Sequence, residues 1–159
     1  MSAENQDTKC RCDFAYAHLI LRLWVGLRLF MAGVDKFRAG NGPTTTFNFE
    51  NYHKKSEQIA TLMSTNSFLP EFACKAYATS IGFALLLVGV WVALGILTEL
   101  GLFAAGLVFL SLGFGLAALP DDMELTANIG IGIIITAMAL TTAKHKNLSL
   151  DGLLRKKGE

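Results

Sequence analysis

The residues best able to do chemistry lie on one face of the first apolar run: His18, Arg22, Gly26, Leu29, Gly33 and Lys36. At about 100° per residue, the last four fall within roughly 40° of Arg22, and His18 joins the stripe one turn earlier. The surrounding run, Phe14 to Phe37 (FAYAHLILRLWVGLRLFMAGVDKF), is otherwise long and apolar enough to cross a bilayer. A cation near the middle of a span costs at least ~2.5 kcal/mol on insertion scales, so its default reading is functional. At 1.5 Å rise per residue, Arg22 and Lys36 stand about 21 Å apart along the axis, too far to grip one small ligand together. Lys36 at the outer edge can snorkel to the headgroups. Arg22 is deeper and carries the functional expectation.

Arg28 lies on nearly the opposite face, aligned with Asp35 two turns on, so two separate buried guanidinium groups are expected in this span. The interiors of the later apolar runs contain no acid. Glu99, at an inner boundary, matches Arg22 in depth, and Tyr77, Thr79, Ser80 and Asn128 are the polar groups at the depth of Arg28. An arginine so placed can serve bundle packing or meet an acid of another subunit. It can also bind an anionic lipid headgroup or the carbonyl oxygen of a quinone. His18 can relay a proton, donate to a quinone oxygen or act as a polar anchor. Asp35 and Lys36 would gate the outer edge.

Three cysteines leave an odd thiol and imply no disulfide framework. Cys10 and Cys12 form a CxC pair, half of a tetrahedral zinc site with no second pair at fitting spacing, so no metal is expected. Juxtamembrane cysteines can instead be acylated. The sequence holds no pair of span histidines or CxxCH for haem, no dinucleotide fingerprint, no P-loop and no Ser/His/Asp arrangement.

The elements that must position these residues are four apolar blocks at about 14–37, 72–97, 99–119 and 125–143. The short links at 98–101 and 120–124 imply antiparallel neighbours and an up-down four-helix bundle. Segment 38–71 is the one sizeable external loop, in which YHKKSEQIATLM (52–63) has helical character and Phe47, Phe49, Tyr52 and Phe68 suit headgroup depth. Glycines recur through the spans, where small residues let helices approach; Gly26 and Gly33 can also clear space for a ligand.

Of the 159 residues 52% are hydrophobic and 17% charged, below the ~25% charged of soluble domains. Mean hydropathy is +0.43, which fits a membrane protein. A net charge of +1 and the lack of a long basic run exclude a nucleic-acid groove. The segment before Phe14 mixes acids and bases, and the run after it contains Arg22 and Arg28 without a small-residue cleavage site; it reads as a retained span rather than a signal peptide. Lys9, Arg11, Lys144, Lys146, Arg155, Lys156 and Lys157 share one side, while Lys36, Arg38, Lys54, Lys55 and Lys75 on the other are diluted by six acids. The bias places both termini in the cytoplasm.

Three stretches carry a resemblance. Arg22, Gly26, Gly33 and Lys36 follow the pattern Arg-x3-Gly-x6-Gly-x2-Lys. GILTEL at 95–100 is similar to a Gly-x2-Thr-x-Leu turn, and NLSLDGLL at 147–154 to a Ser-Leu-Asp ending after the fourth helix. In order and spacing they resemble the DoxX/DoxD-like four-helix membrane proteins over nearly the whole chain. The chain departs from them in lacking a glutamate within the second span, around Leu85, and in its longer external loop. The resemblance implies a small membrane subunit linked to oxidoreductases. The DoxD branch is associated with thiosulfate:quinone oxidoreduction, other branches with redox-stress complexes or maturation of periplasmic electron-transfer proteins.

The expectation is therefore an all-α integral-membrane bundle forming one domain over 1–159, multi-pass in the inner membrane, with a cytoplasmic tail at 144–159. It would serve a quinone-linked, sulfur-compound-oxidising redox complex as a subunit rather than a self-sufficient enzyme. His18, Arg22, Gly26 and Gly33 are the quinone- or lipid-binding candidates; Arg28, Asp35, Lys36 and Glu99 would make bundle or partner contacts. No intrinsic cofactor is expected beyond a quinone, and the partners are membrane lipids and other subunits. The rival class is a non-catalytic assembly or anchoring subunit. A solute transporter fits less well, since no inverted repeats or broken half-helices are visible.

Overall fold

The computed structural model describes residues 3–40, 42–67, 69–117 and 129–145, with side chains described from Asp13 onward in the first helix. Among the described residues five α-helices dominate: α1 (Ala3–Asp35), α2 (Phe49–Asn66), α3 (Glu71–Leu94), α4 (Thr98–Ala117) and α5 (Ile131–Thr141). Between α1 and α2 a two-residue antiparallel pair, β1 (Arg38–Ala39) and β2 (Thr46–Phe47), closes a short hairpin around a 3-10 turn. Three segments are long and apolar enough to cross a membrane, Asp13–Asp35, Glu71–Leu94 and Thr98–Leu116. At 1.5 Å per residue their 23, 24 and 19 residues measure about 28–36 Å, the thickness of a hydrocarbon core. The chain is thus a multi-pass membrane protein. The described part of the expected fourth span, α5, has 11 residues; the loop before it and the tail after 145, with Asp121, Asp122, Glu124 and Asn128, lie outside the described residues.

The apolar helices are hydrophobic around most of their circumference. Their exposed ridges, such as Leu87 on α3, Leu107 and Phe114 on α4 and Ile134 on α5, suit lipid. Their inward faces meet in a core built on Val25, Leu29, Leu85, Val92, Leu102 and Phe109. α1 packs most extensively on α3, and α4 packs between α3 and α5, which returns to α1. Lipid supplies no hydrophobic drive between such helices, so close backbone approach must hold them. A Cβ on Gly26 would stand 2.9 Å from the Ala93 amide and the Gly89 carbonyl, and one on Gly89 would stand 2.6 Å from the Phe30 amide. These contacts fix α1 and α3 as antiparallel.

α3 ends at Gly95, whose left-handed φ of 71° lets its N–H cap the Trp91 and Val92 carbonyls. Leu97 follows at φ 47°, a left-handed position without glycine's freedom, and α4 begins at Thr98. The turn is pinned by Trp91 Nε1 donating to the Ile96 carbonyl at 2.6 Å and Thr98 Oγ1 donating to Gly95 at 3.1 Å.

The external segment is ordered by α2, which runs beyond the expected 52–63 at both ends. Asn48 caps it, its side chain accepting from the Asn51 amide at 2.8 Å. Tyr52, Ser56, Ala60 and Met63 recur at helical spacing and are buried. Tyr52 packs against Gly82 and donates to the Thr79 carbonyl. α1 stops at Asp35, two residues short of the expected Phe37, because Phe37 leaves the helix to stack on Tyr52 at 4.6 Å.

Candidate functional site

The polar residues of α1 separate onto two sites. His18, Arg22, Gly26, Leu29 and Gly33 form one buried face, as their spacing predicts. His18 is 2% exposed and Arg22 3%. His18 Nδ1 lies 3.1 Å from the Ala139 carbonyl and 3.2 Å from Thr142 Oγ1, which ties α1 to the C-terminal end of α5. A carbonyl only accepts, so this bond places a proton on Nδ1. Nε2 is buried and makes no hydrogen bond to a described atom. Because Gly26 packs against Ala93, the antiparallel register carries Arg22, one turn earlier, toward the C-terminal end of α3. The helix dipole favours a cation there. Gly26 and Gly33 clear space for α3 rather than for a ligand: a Cβ on Gly33 would stand 2.7 Å from Leu86 Cγ.

The second face of α1 opens on a cavity of about 770 Å³ between α1, α2, α3, α4 and Ile129. Met31, Ala32, Ile59, Leu85 and Leu112 belong to its mostly apolar wall, and Gln58 and Tyr77 add polar groups. Arg28, Lys36, Arg38 and Asp35 supply the charge. Tyr77 Oη donates to Ser111 Oγ at 3.3 Å. Asp35 gathers its neighbours: Oδ1 lies 2.8 Å from Arg38 Nη2 and Oδ2 3.3 Å from Lys55 Nζ, which also donates to the Asp35 carbonyl at 2.6 Å. Lys55 thereby fastens α2 across the end of α1. Such a volume, with apolar walls and a few polar groups on one side, has the make-up of a small-molecule site.

Arg28 and Asp35 line the same cavity, and Arg28 is exposed rather than the buried guanidinium that was expected. Apolar side chains surround a cavity beside it instead of closing over the guanidinium. The cations expected to serve packing, Arg28 and Lys36, line the cavity, whereas Arg22 is packed within the helices. Glu99 is exposed in the first turn of α4. Cys10 and Cys12 lie on α1 before its described side chains. The contribution of α2 through Gln58, Ile59, Leu62 and Met63 was absent from the sequence reading. Its signal was the buried spacing of Tyr52, Ser56, Ala60 and Met63 beside the charged Lys54 and Glu57. Comparison with protein-family models, with curated proteins and with solved structures gives no match.

Proposed function

We propose that this chain is a small subunit of a quinone-linked redox complex in the inner membrane. In this reading it is an up-down four-helix bundle with both termini in the cytoplasm, and its own task is to hold a membrane amphipath beneath α2. The observation that carries the reading is the cavity lining, apolar on most sides and cationic on one, where Arg28, Lys36 and Arg38 stand. A head bearing oxygen atoms suits that edge and a hydrocarbon tail suits the rest. The redox setting is supported by the resemblance of the Arg22–Gly26–Gly33–Lys36 stripe to DoxX-like proteins.

A non-catalytic assembly subunit is the second reading. One observation favours it: the deepest cation, Arg22, is enclosed by the chain's own helices and is not offered to a reactant. Both readings meet one experiment. The protein is purified in mild detergent with its partners, extracted with organic solvent and analysed for quinone and lipid. About one amphipath per chain is expected, and Gly115→Leu, which fills the cavity, should release it. Quinone in the wild-type extract favours the redox subunit, lipid alone favours the assembly subunit, and an empty wild-type extract sinks the amphipath reading.

A further inference from the structure

We infer that the cavity prefers the reduced, hydroquinone form of its amphipath, with one ring hydroxyl donating to Tyr77 Oη; this rests on the amphipath reading above. The argument is the direction of one hydrogen-bonded chain. Ser111 Oγ lies 2.8 Å from the Val108 carbonyl of its own helix. A carbonyl only accepts and a serine hydroxyl has one proton, so that proton is spent there. Ser111 can then only accept from Tyr77, whose Oη stands 3.3 Å away. The Tyr77 proton is thereby committed as well, and neither hydroxyl has a proton left for a ligand. What Tyr77 offers the cavity is a lone pair, and no group among the described residues donates to it. Donation along the chain polarises each oxygen in turn, which strengthens the Tyr77 oxygen as an acceptor. A quinone head brings carbonyls alone and finds no donor in this pair. A hydroquinone brings the proton that the Tyr77 oxygen can take.

The wall keeps that oxygen open. Gly115 lines the cavity beside it: a Cβ there would stand 3.9 Å from Tyr77 Oη and 3.6 Å from Met63 Cε. A larger residue at this position would cover the hydroxyl. Met63 and Met31 bring thioether groups to the lining, and such sulfurs pack favourably against aromatic rings. Ile81 and Leu112 belong to the apolar wall that suits a hydrocarbon tail. The second oxygen of the ring is left for the polar edge on which the amphipath reading rests.

The test uses the full-length protein, delipidated in detergent and titrated under argon with decylubiquinol, decylubiquinone and the dimethyl ether of the quinol. Dissociation constants are read by calorimetry. The wild type should bind the quinol about fivefold more tightly than either other probe, the worth of one hydrogen bond of ordinary net strength. Tyr77→Phe should bring the three affinities together. Ser111→Ala should do something else: it frees the Tyr77 proton, so the preference should turn toward the quinone, whose carbonyl can accept it. A role for Ser111 in packing alone would weaken all probes alike and leave their ratio unchanged. Equal wild-type affinities for quinol and dimethyl ether, a quinone preferred by the wild type, or an unchanged ratio in a folded Tyr77→Phe protein would overturn the hydroquinone preference and leave the amphipath reading standing. Binding of none of the three probes would overturn both. The wild-type comparison of quinol with its ether needs no variant and decides the matter even where a substitution fails to fold.

Discussion

Leu97 carries the clearest local cost in the described chain. Its φ of 47° crowds Cβ against the following carbonyl, a penalty of about 1 kcal/mol that glycine avoids. The tight turn between α3 and α4 leaves the backbone no other path, since Gly95 already occupies the left-handed cap. The Leu97 side chain is 60% exposed, so little packing is lost when it is removed. Leu97→Gly should therefore stabilise the protein by up to about 1 kcal/mol, read as a higher midpoint of thermal unfolding in detergent. His18 represents the opposite economy at this scale, a polar ring kept in an apolar interior by its bonds to the Ala139 carbonyl and Thr142.

Among the elements, α2 depends most on a single anchor. Tyr52 fills the space left by Gly82, stacks on Phe37 and gives its hydroxyl to the Thr79 carbonyl. Tyr52→Phe should loosen α2 by about 1 kcal/mol, seen as faster proteolysis between α1 and α3. Burial raises the Tyr52 hydroxyl above its ordinary value of 10.0, against the lowering by backbone hydrogen bonds. The folded state thus favours the neutral phenol. That contribution is complete below pH 10 and is lost as pH rises from there through the higher folded value. Protease sensitivity at α2 should accordingly rise above pH 10 in the wild type and show a weaker pH dependence in Tyr52→Phe.

Element by element, the sequence was readable where one periodicity ran unbroken. The buried face of α1 followed from the positions of Arg22, Gly26, Leu29 and Gly33 alone, and the alignment of Arg28 with Asp35 picked out the face that lines the cavity. The exposure of Arg28 is not legible in its helix because a cavity depends on how α1, α2, α3 and α4 meet, which no single helix encodes. α2 showed its helical character but not its full length: the Asn48 cap and the exit of Phe37 from α1 are tertiary matters. Phe37 reads as the end of an apolar run, yet its ring belongs to the cluster under α2.

For the molecule as a whole, the bonds between His18 and the end of α5 have a consequence for synthesis. The residues that satisfy His18 lie 121 and 124 positions downstream. At ordinary translation rates the ribosome needs roughly 6–24 s to produce that stretch, so α1 emerges well before its partners exist. During that interval a span holding His18 and Arg22 is a poor solution to the bilayer and has reason to linger beside the insertion machinery. A chain truncated after Ala117 should accordingly remain crosslinkable to the translocon and be extracted by alkaline carbonate far more readily than the full chain. Equal resistance of the two to extraction would show that α1 inserts without α5. The last described helix is thus a checkpoint in time: it arrives late and releases the first.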